Sequence, residues 1–255
     1  MAAQPMRVAS QLLVLASVFA SAEAASEPIC ADRPGKANPT CTVPEGHFQL
    51  ETGLADWIRD DGETTLIVGA TAIKYGLTDH STIEVDVTPY VRSSGRSGIG
   101  DTLVRYKHRL TSEEAPIKVA LYPFLKLPTA KRPIGNGKVE AGIAAPIDYD
   151  IPRTKLRLTL GPEVDWLADE DGRGHHAAMV QVASLGWDAS ERWNLSAELW
   201  GQWDWDPLGT KRQLSADGAV AYLVRDDLQL DAGANFGLNK QTPDVEVYAG
   251  ISKRF

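Results

Sequence analysis

Long apolar runs are what this sequence lacks. Beyond the first few dozen of its 255 residues no stretch of 18 consecutive apolar residues occurs, which excludes a bundle of membrane-spanning helices. Cysteine is almost absent: Cys30 and Cys41 are the only two. A metal site on them would need more ligands than Asp32 and His47 supply nearby. Basic charge is in deficit, 26 Lys and Arg against 34 Asp and Glu for a formal charge of −8, and that argues against nucleic acid as partner. With 43% hydrophobic residues the chain is far too apolar for a disordered one. These averages, with a mean hydropathy of −0.22, describe a single mildly polar soluble domain. The arrangement of the residues says otherwise.

Residues 1–24 read as a secretory signal: one early positive charge at Arg7, an apolar stretch from Leu12 to Ala22, and Ala-Glu-Ala before the cut. An apolar core this short does not span a bilayer. Glu27-Pro28-Ile29 before Cys30 lacks the small residues of a lipoprotein signal. In an exported chain Cys30 and Cys41 are expected to form a disulfide that closes a loop rich in Pro and Gly. Residues 25–46 are expected to form a periplasmic segment ahead of the main domain.

From His47 onward, apolar and polar residues alternate between turn signals, as in Ile83–Val87, Ile117–Leu121, Leu156–Leu160 and Val245–Ala249. Period two is the mark of strands with unlike faces. About twelve such segments fall near 47–59, 64–78, 81–93, 98–111, 116–128, 138–150, 154–168, 175–188, 192–206, 211–225, 228–239 and 243–255, and none reads as a helix. Tight connections (Asp79-His80, Ile151–Arg153, Asp226-Asp227) take turns with others that are longer or richer in Gly and Pro (93–97, 129–137, 169–174, 207–210, 240–242). That pattern predicts an all-β, up-and-down antiparallel transmembrane barrel over 47–255, with short periplasmic turns and longer outer loops.

Alternation alone fits a soluble sandwich equally well; the aromatic residues decide between them. Trp193 and Trp203 share the apolar parity with Trp205. Ten residues at ~3.3 Å and a ~45° tilt separate the first two by roughly 23 Å, the height of a barrel's apolar band. Trp166 and Phe236 fall at the outer rim, and Tyr75, Tyr106, Tyr149, Tyr222 and Phe255 at the inner rim, as an aromatic girdle would. The chain ends on an amphipathic strand closed by Phe255. The expected surroundings are therefore outer-membrane lipid, with the barrel-insertion machinery engaging that last strand.

Several motifs carry a resemblance. Asp32-Arg33-Pro34-Gly35-Lys36-Ala37-Asn38, the run Val43-Pro44-Glu45-Gly46-His47-Phe48-Gln49-Leu50-Glu51, Tyr75–Asp79 followed by Glu84, Gly98–Asp101 and Leu127–Thr129 together resemble a proteobacterial outer-membrane transporter family. It is known as the "MetA-pathway of phenol degradation" family. The resemblance implies a barrel in the bacterial outer membrane; it carries no substrate across.

No catalytic constellation is read from the sequence, and no cofactor or metal is assigned. The adjacent pair His175-His176, beside Asp169, Glu170 and Asp171, is explained by ordinary loop polarity. The polar parity is more informative. It presents basic residues on two neighbouring strands (Arg105, Lys107, Arg109, Lys118, Lys126) and acidic ones elsewhere (Glu84, Asp86, Glu198, Asp217, Asp231, Glu246). Charges facing lipid are costly, so these are expected to line a lumen. Two arrangements follow: an open pore with a transverse field, or a closed lumen whose charges pair. The expected function is a passive, non-enzymatic channel for small molecules, with hydrophobic or aromatic compounds among the candidates. A structural barrel with a salt-bridged closed lumen and an outer-membrane hydrolase are the second and third readings.

Overall fold

The computed structural model describes residues 28–255. The signal expected over 1–24 lies outside the described residues. Sixteen strand segments follow one another: β1 (Phe48–Asp60), β2 (Glu63–Val68), β3 (Ala70–Thr78), β4 (Ser81–Val87), β5 (Tyr90–Ser93), β6 (Arg96–Gly98), β7 (Thr102–Arg109) and β8 (Ile117–Leu127). Then come β9 (Glu140–Ala144), β10 (Ile147–Asp150), β11 (Leu156–Ala168), β12 (His175–Asp188), β13 (Trp193–Asp204), β14 (Lys211–Arg225), β15 (Leu228–Gly237) and β16 (Val245–Arg254). Gly69, Thr88-Pro89, Ile99–Asp101 and Ala145-Pro146 each interrupt a strand, so the segments make twelve crossings. Proline explains two of these breaks, because it has no N–H for the ladder.

Each crossing pairs antiparallel with the next, and β16 pairs back onto β1 from Gln49↔Arg254 to Arg59↔Val245. Closure leaves only the short β6, among the described strands, paired on a single side, and satisfies the backbone of the rest of the wall, as a lipid-embedded sheet requires. The expected strand segments are all present within a few residues.

The two faces of the wall are inverted relative to a soluble protein. On β13, Glu198 is 5% exposed and its neighbour Leu199 is 62% exposed. The same holds around the ring: Glu51, Lys74, Glu84, Lys107, Asp217 and Asp231 are buried, whereas Leu54, Ile73, Ile143, Val164 and Val247 face outward. Polar residues fill the inside and large apolar ones cover the outside. That is the face assignment of a barrel in a bilayer.

Of the aromatic residues expected as a girdle, Tyr106, Trp166, Trp193, Trp205, Phe236 and Phe255 are exposed and Tyr75, Tyr149, Trp203 and Tyr222 half-buried. At the short-turn end they pair across strands, Phe48 with Tyr75 and Trp193 with Tyr222, each with ring centroids 4.6 Å apart. At the opposite end Trp166 stacks on His175 at 6.0 Å.

The Gly-containing connection at 93–97 is itself a tight hairpin: Ser93 pairs with Arg96 around a two-residue turn. Its central residues, Ser94 and Gly95, both have positive φ, as do Asp61 and Gly62 between β1 and β2. Two-residue hairpins need that conformation, which Gly adopts without strain. Length at this end is confined to the connections after β8, β11, β13 and β15.

Leu199 tests the inversion directly. Leu199→Arg is expected to destabilise the barrel by about 2–4 kcal/mol, the cost of a cation near the bilayer midplane. Reversible urea unfolding in lipid vesicles measures it. A negligible change would mean that this face meets water.

Candidate functional site: a charged lumen and its plug

Residues 28–46, expected on the periplasmic side ahead of the barrel, lie inside it instead. The segment bonds to the inner wall almost all the way round. Thr40 donates its N–H and hydroxyl to Asp148 Oδ2 at 2.8 and 2.7 Å, and Val43 N donates to Thr82 Oγ1 at 2.9 Å. Gln49 Nε2 donates to the carbonyl of Cys30 at 2.9 Å. The expected disulfide between Cys30 and Cys41 is formed, with Cα atoms 6.4 Å apart, and closes the loop that carries the plug's charges. All these partners belong to the half of the wall nearer the short turns.

The reason for this placement is charge. The carboxylate of Asp32 meets Lys74 Nζ at 2.6 Å, Lys107 Nζ, and the hydroxyl of Tyr122 at 3.1 Å. Its own N–H and that of Arg33 donate to Glu51 Oε2 at 2.9 and 3.1 Å. Arg33 reaches the other way and pairs with Asp231 at 3.0 Å. Lys36 Nζ lies 3.3 Å from Asp217 Oδ2, donates to Ser215 Oγ at 2.8 Å and sits over the Trp200 ring at 4.5 Å. The backbone N–H of Lys36 donates to Glu198 Oε2 at 2.8 Å. The plug is therefore acidic toward the basic wall and basic toward the acidic wall.

Every charged residue expected on the polar parity can now be placed. Lys107, Glu84, Glu198, Asp217 and Asp231 gather around the plug, with Glu84 3.6 Å from Lys74 and bonded by Tyr122. Arg109 pairs with Glu113 at 2.9 Å and Lys118 with Asp150 at 2.6 Å, both at the short-turn end. In the other half of the barrel, charges pair wall to wall. Arg105 meets Asp86 at 2.6 Å, Lys126 meets Asp101 at 2.9 Å and Glu140 at 3.0 Å, and Glu246 accepts from Asn235 Nδ2 at 2.7 Å. In the plugged half the plug's charges stand between the basic and acidic walls and pair with both.

The plug does not fill the section. Beside it, against β11–β15, lies a vestibule of about 690 Å³ bordered by Arg33, Arg157, Ser184, Asn194, Glu198 and Gln229.

Sequence reasoning missed Asp32, Arg33, Lys36, Glu51, Lys74 and Tyr122 as lumen residues. Glu51 and Lys74 could have been found, since they stand on the polar parity of the expected strands. The three plug residues lay inside a quoted motif, where only matching their signs to the wall would have assigned them.

The architecture is that of an outer-membrane barrel. The profile of the family described as "Putative MetA-pathway of phenol degradation" matches residues 31–255, and the chain belongs to that family. No curated protein sequence matches the chain. Among solved structures, the chain is similar to the COG4313 outer membrane channel from Pseudomonas putida F1, with 15% identity and a TM-score of 0.67 over 87% of this chain and 99% of that one. It is also similar to the KdgM porin, with 8% identity and a TM-score of 0.54 over 82% of this chain and 99% of that one. KdgM has also been solved in complex with disordered oligogalacturonate, and that structure matches at 6% identity, with a TM-score of 0.54 over 82% of this chain and 99% of that one.

Two substitutions test the seating of the plug. Asp32→Ala strands Lys107 without its carboxylate and is expected to cost about 3–5 kcal/mol, as removing one member of a buried ion pair does. A Cβ at Gly76 would collide with the carbonyl oxygens of Val43 and Pro44, so Gly76→Val is expected to push the plug off the wall. In the folded barrel trypsin should then cut after Lys36, a site protected in the unaltered protein. Unchanged protection in both variants would refute this account of what holds the plug.

Proposed function

We propose that the chain is an outer-membrane channel that passes small solutes along the vestibule beside its N-terminal plug. The observation that carries this reading is the incomplete plug: its charges are paired against both walls, yet it leaves about 690 Å³ open on the β11–β15 side. The channel and porin descriptions of proteins with this fold support the same reading, as does the lipid-compatible outer face. The vestibule is bordered by guanidinium, carboxylate, amide and hydroxyl groups. Solutes with hydrogen-bonding groups fit it better than pure hydrocarbons do, and an aromatic compound carrying a hydroxyl meets that condition. We assign the chain no catalytic chemistry. Export through the signal at 1–24 and insertion through the Phe255 strand complete the proposed route to the membrane.

A second reading has its own support. The plug's ion pairs are those of a salt-bridged, closed lumen, which would make the barrel structural.

Conductance in planar bilayers separates the two. The channel reading expects small, discrete steps. The double variant Arg33→Ala/Lys36→Ala uncovers Asp231 and Asp217, so it should raise the unit conductance several-fold and shift the reversal potential toward cation preference. No resolvable step from either protein would sink the channel reading in favour of the closed one.

A further inference from the structure

We propose that the long-loop end of the barrel carries a divalent-cation site built on His176, Asp169 and Asp206. The two adjacent histidines divide their roles. His175 points its ring at Trp166 and bonds the carbonyl of Val139 at 2.9 Å, whereas His176 is turned inward and is only 8% exposed. Pairing of β11, β12 and β13 sets Leu167 opposite His176 and Ala178 opposite Asp204. The loops that follow β11 and β13 therefore deliver Asp169 and Asp206 to the same imidazole.

His176 Nδ1 lies 2.9 Å from Asp169 Oδ1 and 3.5 Å from Asp206 Oδ2, and one ligand atom from each residue falls within 4.8 Å of the others. Two ligand atoms that share an ion at ~2.0–2.2 Å are about 3.0–3.5 Å apart, so the two distances from Nδ1 match those of a shared ion. Asp206 is held ready by the backbone: Glu170 N donates to its Oδ2 at 2.8 Å and Leu208 N to its Oδ1 at 2.7 Å.

An independent observation concerns the other ring nitrogen. Nε2 is shut off from solvent and makes no hydrogen bond, although Asp204 Oδ1 is only 2.7 Å away. With Nδ1 on a cation, the ring proton belongs on Nε2, toward Asp204. A carboxylate behind the ring is the usual device for fixing the tautomer of a metal-bound histidine. Charge points the same way. Three carboxylates surround one imidazole, and the neighbouring Lys211 is engaged by Glu170. One imidazole with carboxylates suits a first-row divalent ion such as Zn²⁺ better than Mg²⁺ or Ca²⁺, which favour all-oxygen shells. Such an ion would tie the 169–174 loop to the loop after β13. This proposal does not rest on the channel reading.

Zn²⁺ titration of the detergent-folded full chain by calorimetry tests it. One ion per chain is expected, with affinity reduced about tenfold or more by His176→Ala or Asp206→Asn and unchanged by His175→Ala. In the same samples Zn²⁺ should slow tryptic cutting at Arg173 in the unaltered protein and in His175→Ala alone. Heat-modifiable gel mobility verifies that each variant is a folded barrel, and Asp169→Asn replaces any that is not. Zn²⁺ affinity that survives His176→Ala, or no binding at all, would overturn the proposal.

Discussion

The ion-pair junction at Asp32 is the interaction from which the rest of the lumen follows. Lys74 and Lys107 stand on β3 and β7 with their alkyl stems sealed inside the wall. Bilayer on the outside forbids them to turn round, and burial makes an unpaired ammonium untenable. Glu51 and Glu84 share the charge of Lys74 at 2.6 and 3.6 Å, but Lys107 has only Asp32 as an ion-pair partner among the described residues. The wall is thus incomplete without a carboxylate that it does not itself contain. The N-terminal segment supplies that group, and a separate domain at the mouth could not reach it.

Once Asp32 is seated, chain geometry dictates what comes next. Arg33 follows immediately and Lys36 three residues later, so both are carried toward the far wall, where Asp231, Asp217 and Glu198 are buried. Those carboxylates are as much in need of cations as the lysines are of an anion. The disulfide keeps the loop compact at no side-chain charge. Plug and barrel therefore form one electrostatic unit, in which neither sign pattern is stable alone. In the other half, Arg105–Asp86 and Lys126–Asp101–Glu140 close within the wall, and no inserted segment is needed.

The legible part of this architecture is what depends on single strands. Alternation marked the crossings, and the buried Glu198 beside the exposed Leu199 is that alternation made physical. The charges named on the polar parity do point inward, because lipid leaves them no other face. Long-range pairing was not legible. Nothing local to Asp32 says that Lys74 and Lys107, 42 and 75 residues away, will be its partners. A Pro- and Gly-containing stretch reads as a linker by composition, and here composition misleads, because the segment is ordered by what it touches. The His176 cluster was hidden for the same reason: Asp169 lay in view beside it, while Asp206 came from a different hairpin.

Fold and chemistry are constrained separately in such a barrel, and this explains how a structure with 15% identity can share 87% of this chain's architecture. The outer face asks only for apolar residues at every second position, and the ladder asks only for backbone. Neither request specifies a sequence. The inner face is different, since each buried charge must find its counterpart across a narrow space. A change of sign at Asp217 would have to be answered at Lys36, on a segment that is 181 residues away in sequence and within bonding reach in space. The plug is thus the element that reads the wall most closely, and the vestibule beside it takes its size and its polar border from that match.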